Sequence, residues 1–129
     1  MKTIQISTNK KEELIDITNQ VKNAVKIEKG FLYLYSPHTT AGLTINENYD
    51  PDVKTDIIKS LNQVVKDLPD FQHMEGNSTA HVKTLLTGKS LQIAIEDGRL
   101  VLGRWDGILF CEYDGPRNRE IKLKIVKEK

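Results

Sequence analysis

Leu91-Gln92-Ile93-Ala94-Ile95, Leu100-Val101-Leu102, Gly107-Ile108-Leu109-Phe110 and Ile121-Lys122-Leu123-Lys124-Ile125 follow one another with short connections. The breaks include Asp97-Gly98 and Asp114-Gly115-Pro116, combinations that reverse a chain tightly. Short apolar or alternating runs so spaced read as strands. The Ile121 to Val126 segment alternates strictly and sets Lys122 and Lys124 on one face, the pattern of a sheet with one solvated side. This strand-rich C-terminal part decides the fold class, because every helical signal precedes it.

Working outward, residues 1–8 and 11–17 read as two short strands joined at Asn9-Lys10-Lys11. Thr18 resembles a helix N-cap, with Val21, Ala24 and Val25 at helical spacing and Gly30 as the stop. Phe31-Leu32-Tyr33-Leu34-Tyr35, bounded by Gly30 and Pro37, reads as a strand buried on both faces or nearly so. Asp50-Pro51 starts a helix whose apolar stripe is Val53, Ile57, Ile58, Leu61, Val64 and Val65, closed off before Pro69. A second helix runs from about Asn77 to Thr87, with Val82, Leu85 and Leu86 expected inward and Gly88 as the stop. The order β, β, α, β, α, α, β, β, β, β predicts one α+β domain over residues 1–129, a mostly antiparallel sheet with helices on one side.

A chain of 129 residues supports a single core. Its 38% hydrophobic content and mean hydropathy of -0.45 describe an ordinary soluble protein. Nineteen basic residues against 18 acidic ones leave a formal charge of +1, so no nucleic acid or membrane partner is expected. The single cysteine, Cys111, lies in an apolar run and reads as a small buried hydrophobe. The N-terminus lacks the apolar stretch of a signal peptide, and no run approaches the ~20 apolar residues of a membrane span. A cytoplasmic location is the expectation.

The chemistry should gather around the three histidines. His38, His73 and His81 all lie in polar, helix-breaking segments, and imidazole is both the commonest metal ligand and the side chain best suited to proton transfer near neutral pH. With Asn77 as a cap, His81 falls in the first turn of its helix, where the positive dipole end opposes protonation. His38 and Thr39 open a loop after a strand, a common seat for functional side chains. Asn46 and Glu47 sit just before the Asp50 helix start, and Glu47 is not needed as a cap. Glu112 and Arg117 flank the Asp114 turn; the planar guanidinium suits a phosphate or carboxylate, although an ion pair with Glu112 or Asp114 is an equal reading. Trp105 reads as core or subunit contact. Dinucleotide-binding, Walker and serine-hydrolase signatures are absent, so no nucleotide cofactor is predicted.

The segments Ser36-Pro37-His38-Thr39-Thr40-Ala41, Asn46-Glu47-Asn48-Tyr49-Asp50-Pro51-Asp52-Val53, Asn77-Ser78-Thr79-Ala80-His81 and Asp114-Gly115-Pro116-Arg117 together resemble the YjbQ family, also catalogued as UPF0047. The resemblance spans residues 3 to 126. It implies a mixed sheet bent into a sandwich with two helices over one side, assembly into homotrimers, and a secondary thiamine-phosphate synthase activity. That reaction joins a pyrimidine diphosphate to a thiazole phosphate with release of pyrophosphate. His38 and His81 match the family's motif histidines and His73 a third; Asn46, Glu47, Asn77, Glu112 and Arg117 also fall on motif positions. One departure is Leu102-Gly103-Arg104-Trp105-Asp106, where the family reads Leu-Gly-Thr-Trp-Gln; the opposite charges of Arg104 and Asp106 suggest a pair.

These readings combine into a site. His38, His73 and His81 would hold a divalent metal, zinc or else magnesium for a diphosphate substrate. Arg117, Asn46, Asn77 and Thr39 would hold the anionic group, with Glu47 and Glu112 as base or as orienting carboxylates. The reaction would be a thiamine-phosphate synthase-type transfer or a metal-dependent hydrolysis of a small phosphorylated metabolite. The alternative is a non-catalytic trimer that binds metal or a phosphometabolite.

Overall fold

The computed structural model describes residues 1–129. In chain order the elements are β1 (Lys2–Ser7), β2 (Glu13–Asp16), α1 (Thr18–Asn23), β3 (Gly30–Tyr35), β4 (Ala41–Glu47), α2 (Pro51–Val64), α3 (Ser78–Thr87), β5 (Ser90–Glu96), β6 (Arg99–Leu100), β7 (Asp106–Glu112) and β8 (Asn118–Lys127). Five strands form one sheet in the order β1-β8-β3-β5-β6, and three form a second in the order β2-β7-β4. Every pairing is antiparallel, so the mixed sheet implied by the resemblance gives way to two antiparallel ones.

Side-chain alternation explains how the layers stack. Leu32 and Leu34 of β3, Ile93 and Ile95 of β5, and Ile121 and Leu123 of β8 are buried in the main core. There they meet Leu43 of β4 and Ile108 and Phe110 of β7, so this core fills the space between the sheets. The opposite parity of β7, Leu109 and Cys111, joins Leu14, Ala80 and Tyr113 in a second cluster, against which Ile57, Ile58 and Leu61 of α2 pack. β7 is therefore covered on both faces, by the five-stranded sheet on one side and by α2 and α3 on the other. That double burial is why Gly107 to Cys111 reads as continuous apolar sequence.

Several expectations need correction. The polar segment after His38 contains β4, which pairs along its whole length with β7 from Ala41↔Glu112 to Glu47↔Asp106. β3 is buried on one face only: Leu32 and Leu34 are sealed, whereas Phe31 is exposed. α1 ends at Asn23, and Gly30 begins β3 instead of stopping a helix. In α3 the inward residues are Ala80, Lys83 and Thr84, while Val82, Leu85 and Leu86 face out. Lys83 can turn inward because Glu12 and Asn62 accept its ammonium protons, which compensates for burying a charge. α2 carries the expected Asp50 cap, whose side chain accepts from the Asp52 amide at 2.9 Å.

No helix is long and apolar enough to cross a membrane.

Candidate functional site

Where β3 ends, the chain cannot continue its ladder with β8. Pro37 lacks an amide proton, while on the other edge Ser36 extends the β3–β5 register by donating its amide to Lys89 O at 2.8 Å. The segment Pro37 to Thr40 thus swings away and lies over the start of β8. On the other side, α3 is fastened across the three-stranded sheet by Ala80 in the second cluster and by its close contact with β4. Its N-terminal turn and the preceding loop come to face Pro37 to Thr40.

Between them opens a cavity of about 330 Å³ lined by ten residues, none hydrophobic. All three histidines line it, together with Thr39, Thr40, Glu75, Asn77, Arg117 and Arg119. The His73 and His81 rings lie edge to face, with centroids 5.3 Å apart. His38 is anchored from behind: its Nε2 lies 3.0 Å from the Glu120 nitrogen and 3.1 Å from the Glu120 carbonyl oxygen. Burial first, and then the Arg119 guanidinium, lower the His38 imidazole below its ordinary value, against smaller opposing contributions from Glu120 and Glu112.

The two arginines are held very differently. Arg119 is buried, with Nε donating to Glu112 Oε1 at 2.9 Å, Nη2 to Glu112 Oε2 and to Thr40 Oγ1 at 2.8 Å. Glu112 is fully buried and also accepts from Thr8 Oγ1 at 2.7 Å and from the Asp114 amide at 3.2 Å. Burial would raise the Glu112 carboxyl, but these hydrogen bonds outweigh it and hold the group below its ordinary value. Gly115 permits this packing, since a Cβ there would meet Lys10 O at 2.3 Å and Thr8 Oγ1 at 2.8 Å. At the rim, Arg117 is half exposed and pairs with Asp114 through Nη2 at 2.9 Å. Asp114 also accepts from Asn77 Nδ2 at 2.8 Å. Burial raises the Asp114 carboxyl less than Asn77 and Arg117 lower it, so it too sits below the usual range. Asn77 Oδ1 is the one buried side-chain polar atom without a hydrogen-bond partner.

The family model for UPF0047 protein YjbQ-like matches residues 2–128. The chain belongs to this family. It is 52% identical to a UPF0047 protein of Methanocaldococcus jannaschii over 97% of this chain and 93% of that one. The UPF0047 protein YugU of Bacillus subtilis is 47% identical over 98% of both chains. A solved YjbQ/UPF0047 structure from Clostridium acetobutylicum superposes with a TM-score of 0.94 at 48% identity, covering 98% of this chain and all of the other. A conserved hypothetical protein of Thermus thermophilus gives a TM-score of 0.93 at 40% identity, over 98% of this chain and 100% of that one.

Within this YjbQ-family chain the sequence-derived site residues divide. His38, His73, His81, Thr39, Asn77 and Arg117 converge on the cavity. Glu112 does not line it; it is sealed beneath Arg119 and cannot touch a ligand there. Asn46 and Glu47 are carried away by β4: Asn46 lines a separate, largely apolar cleft with Cys111 and Tyr113, and Glu47 lines another with Tyr49 and Trp105. The three histidines share a cavity without forming a compact ligand set, because no group of three His, Cys, Asp or Glu side chains is placed to hold a metal ion. Arg104 does not pair with Asp106. It lies 4.8 Å from the Trp105 ring centroid, and Asp106 Oδ2 accepts the Gly103 amide at 2.7 Å. Trp105 itself is 47% exposed against Tyr49, not core. Cys111 is buried, and burial pushes its thiol up to about 12.

Arg119 and Glu75 were not singled out from sequence. A signal for Arg119 existed: it shares parity with Ile121 and Leu123, so it had to point inward with them. Glu112 likewise shares parity with Ile108 and Phe110. Two opposite charges at inward positions of neighbouring strands in the sequence spell a buried pair.

Proposed function

We propose that the cavity binds the phosphate or diphosphate group of a small metabolite and carries out acid–base chemistry on it. The observation that carries this reading is the wall itself: three imidazoles and two guanidiniums, with no hydrophobic residue among ten. Guanidinium forks match phosphate oxygens, and buried donors held by carboxylates behind them need no rearrangement when an anion arrives. Glu75 is the only carboxylate on the wall and takes the base role that Glu47 and Glu112 were expected to fill.

The narrower reading, carried by the family resemblance, is a thiamine-phosphate synthase-type transfer. There the bond between the pyrimidine methylene and the diphosphate oxygen breaks, the thiazole nitrogen bonds to that methylene, and pyrophosphate leaves. Arg117 and Arg119 would stabilise the charge gathering on the departing oxygens. No hydrophobic side chain lines the wall to seat the two heterocycles, so the phosphate half of this reading has the stronger support. A second reading, zinc or magnesium in the cavity, is favoured by the His73–His81 pair alone. The alternative of a non-catalytic phosphometabolite binder uses the same wall. The resemblance also leads us to propose a homotrimer.

Calorimetric titration with inorganic phosphate and pyrophosphate, followed by turnover assays with the thiamine precursors, tests these readings. Saturable binding that Arg117→Ala weakens about tenfold is the expected result, since a hydrogen bond to a charged group contributes roughly 1.5–3 kcal/mol. Absence of binding to both anions and both precursors overturns the proposal. Binding without turnover of phosphate esters or precursors selects the non-catalytic alternative, and metal analysis of untagged protein decides the second reading.

A further inference from the structure

The three imidazoles of the cavity are not equivalent, and the reason lies in the backbone of β8. The β3–β8 ladder closes with Tyr35 opposite Lys122. Two residues further on, the register would set Pro37 opposite Glu120, but proline has no N–H to offer that rung. The His38 ring fills the gap. Its Nε2 lies 3.0 Å from the Glu120 nitrogen and 3.1 Å from the Glu120 carbonyl oxygen, both of which point from the same edge of the strand.

One ring nitrogen can serve only one of these groups at a time. It accepts from the N–H if it carries a lone pair, or donates to the carbonyl if it carries a proton. An orphaned buried N–H is the rarer and costlier defect, because a carbonyl with two lone pairs tolerates partial satisfaction. We propose that the Glu120 amide locks His38 as the Nδ1–H tautomer, which makes it a fixed hydrogen-bond donor to an anion in the cavity and not a base or a metal ligand through Nε2. This rests on the reading of the cavity as an anion site. Nδ1 has no partner in the protein and is not among the buried unsatisfied atoms, and its ring lines the cavity. Burial first, and then the neighbouring Arg119 guanidinium, oppose a second proton on the ring. Proton traffic then falls to Glu75 and to His73 and His81, whose rings meet edge to face on the cavity wall and make no comparable backbone bond.

Nitrogen-15 NMR of histidine-labelled protein reads the tautomer directly. The expected spectrum has neutral His38 protonated at Nδ1 and bare at Nε2, with inorganic phosphate moving the Nδ1 resonance more than Nε2. A neutral His38 protonated at Nε2 overturns the proposal, as does a phosphate response confined to Nε2. Two amide variants separate donor from strand cap. His38→Gln carries an acceptor toward the Nε2 position with nothing at Nδ1, so it should melt near wild type yet bind phosphate roughly tenfold more weakly. His38→Asn keeps a donor near the Nδ1 position but leaves the Glu120 amide uncapped, so it should melt lower and retain most of the binding. Unaltered phosphate affinity in His38→Gln overturns the donor role. Wild-type protein that shows the stated tautomer but binds no phosphate refutes the anion-site reading while leaving the tautomer lock in place.

Discussion

At the residue scale, the Glu112–Arg119 pair governs both stability and the shape of the site. Both side chains are almost completely removed from water and joined by two hydrogen bonds. Glu112→Gln leaves a buried guanidinium uncompensated and should cost about 3–5 kcal/mol, a drop in Tm on the order of 10 °C by calorimetry. Replacing both partners, Glu112→Leu with Arg119→Met, should recover most of that stability while still weakening phosphate binding. The pair also sets an acid limit. Glu112 and Asp114 are held below their ordinary values in the folded state, so the stability they contribute is complete above the unfolded carboxylate range and is lost as pH falls through the folded values. His38, lowered from 6.5, adds a loss that begins as pH drops through that value. Acid titration of Glu112→Gln should therefore show a shallower decline than wild type; an identical slope counts against Glu112 as a source of it. Arg117 and the histidines were legible in the sequence because loop polarity exposes such residues. Arg119 was hidden by the habit of reading charge as surface, although strand parity contradicts it.

At the scale of elements, β4 and the inward face of α3 were the parts least legible in the sequence, whereas the span of α3, Ser78–Thr87 with Gly88 as its stop, agrees with the expected one. β4 contains Ala41, Gly42 and Asn46, poor strand formers whose place is dictated by pairing with β7 and not by local preference. Gly42 is there because α3 ends directly above it: Leu43 N donates to Gly88 O at 3.0 Å, and a Cβ on Gly42 would meet that same oxygen at 2.4 Å. Gly42→Ala should push the end of α3 outward, costing roughly 1–3 kcal/mol and increasing amide exchange across Thr84 to Gly88. Unchanged exchange there would show that the contact yields at no cost. The apolar stripe of α3 misled for a related reason. Periodicity finds an apolar face but not what covers it, and the inward side is occupied by Ala80, Thr84 and the neutralised Lys83. By contrast Asp50-Pro51 marked the start of α2 correctly, because a cap is a local device. Asp50→Ala should cost about 1 kcal/mol, visible as faster exchange in the first turn of α2 with no change in phosphate affinity.

For the whole molecule, the strand-rich C-terminal part carried the fold class correctly, while the split into two sheets depended on the partner that each strand finds across the core. The cavity draws on the end of β3, the start of β8 and the N-terminal side of α3, so it exists only when the two sheets and the helical layer are assembled. The same architecture leaves one surface unexplained by a single copy. Val82, Leu85 and Leu86 recur at helical spacing on the outer face of α3 and are 38%, 79% and 56% exposed. A scattered exposed leucine needs no explanation, but three apolar residues on one helix face, in a layer whose inner face is already satisfied, mark a surface suited to a partner. A ring of three copies requires a heterologous contact, in which this face meets a different patch of the next copy, and the proposed homotrimer would bury it in that way. Light scattering on the purified chain should then give about three times the 14.7 kDa of one copy. Leu85→Glu sets a charge in the middle of that face without touching the buried side of α3, so it should lower the mass toward one copy while the circular dichroism of the folded chain persists. A wild-type mass of 14.7 kDa at tens of micromolar refutes the assembly. A trimer that survives Leu85→Glu would place its contacts on another face and leave the apolar side of α3 to a different partner.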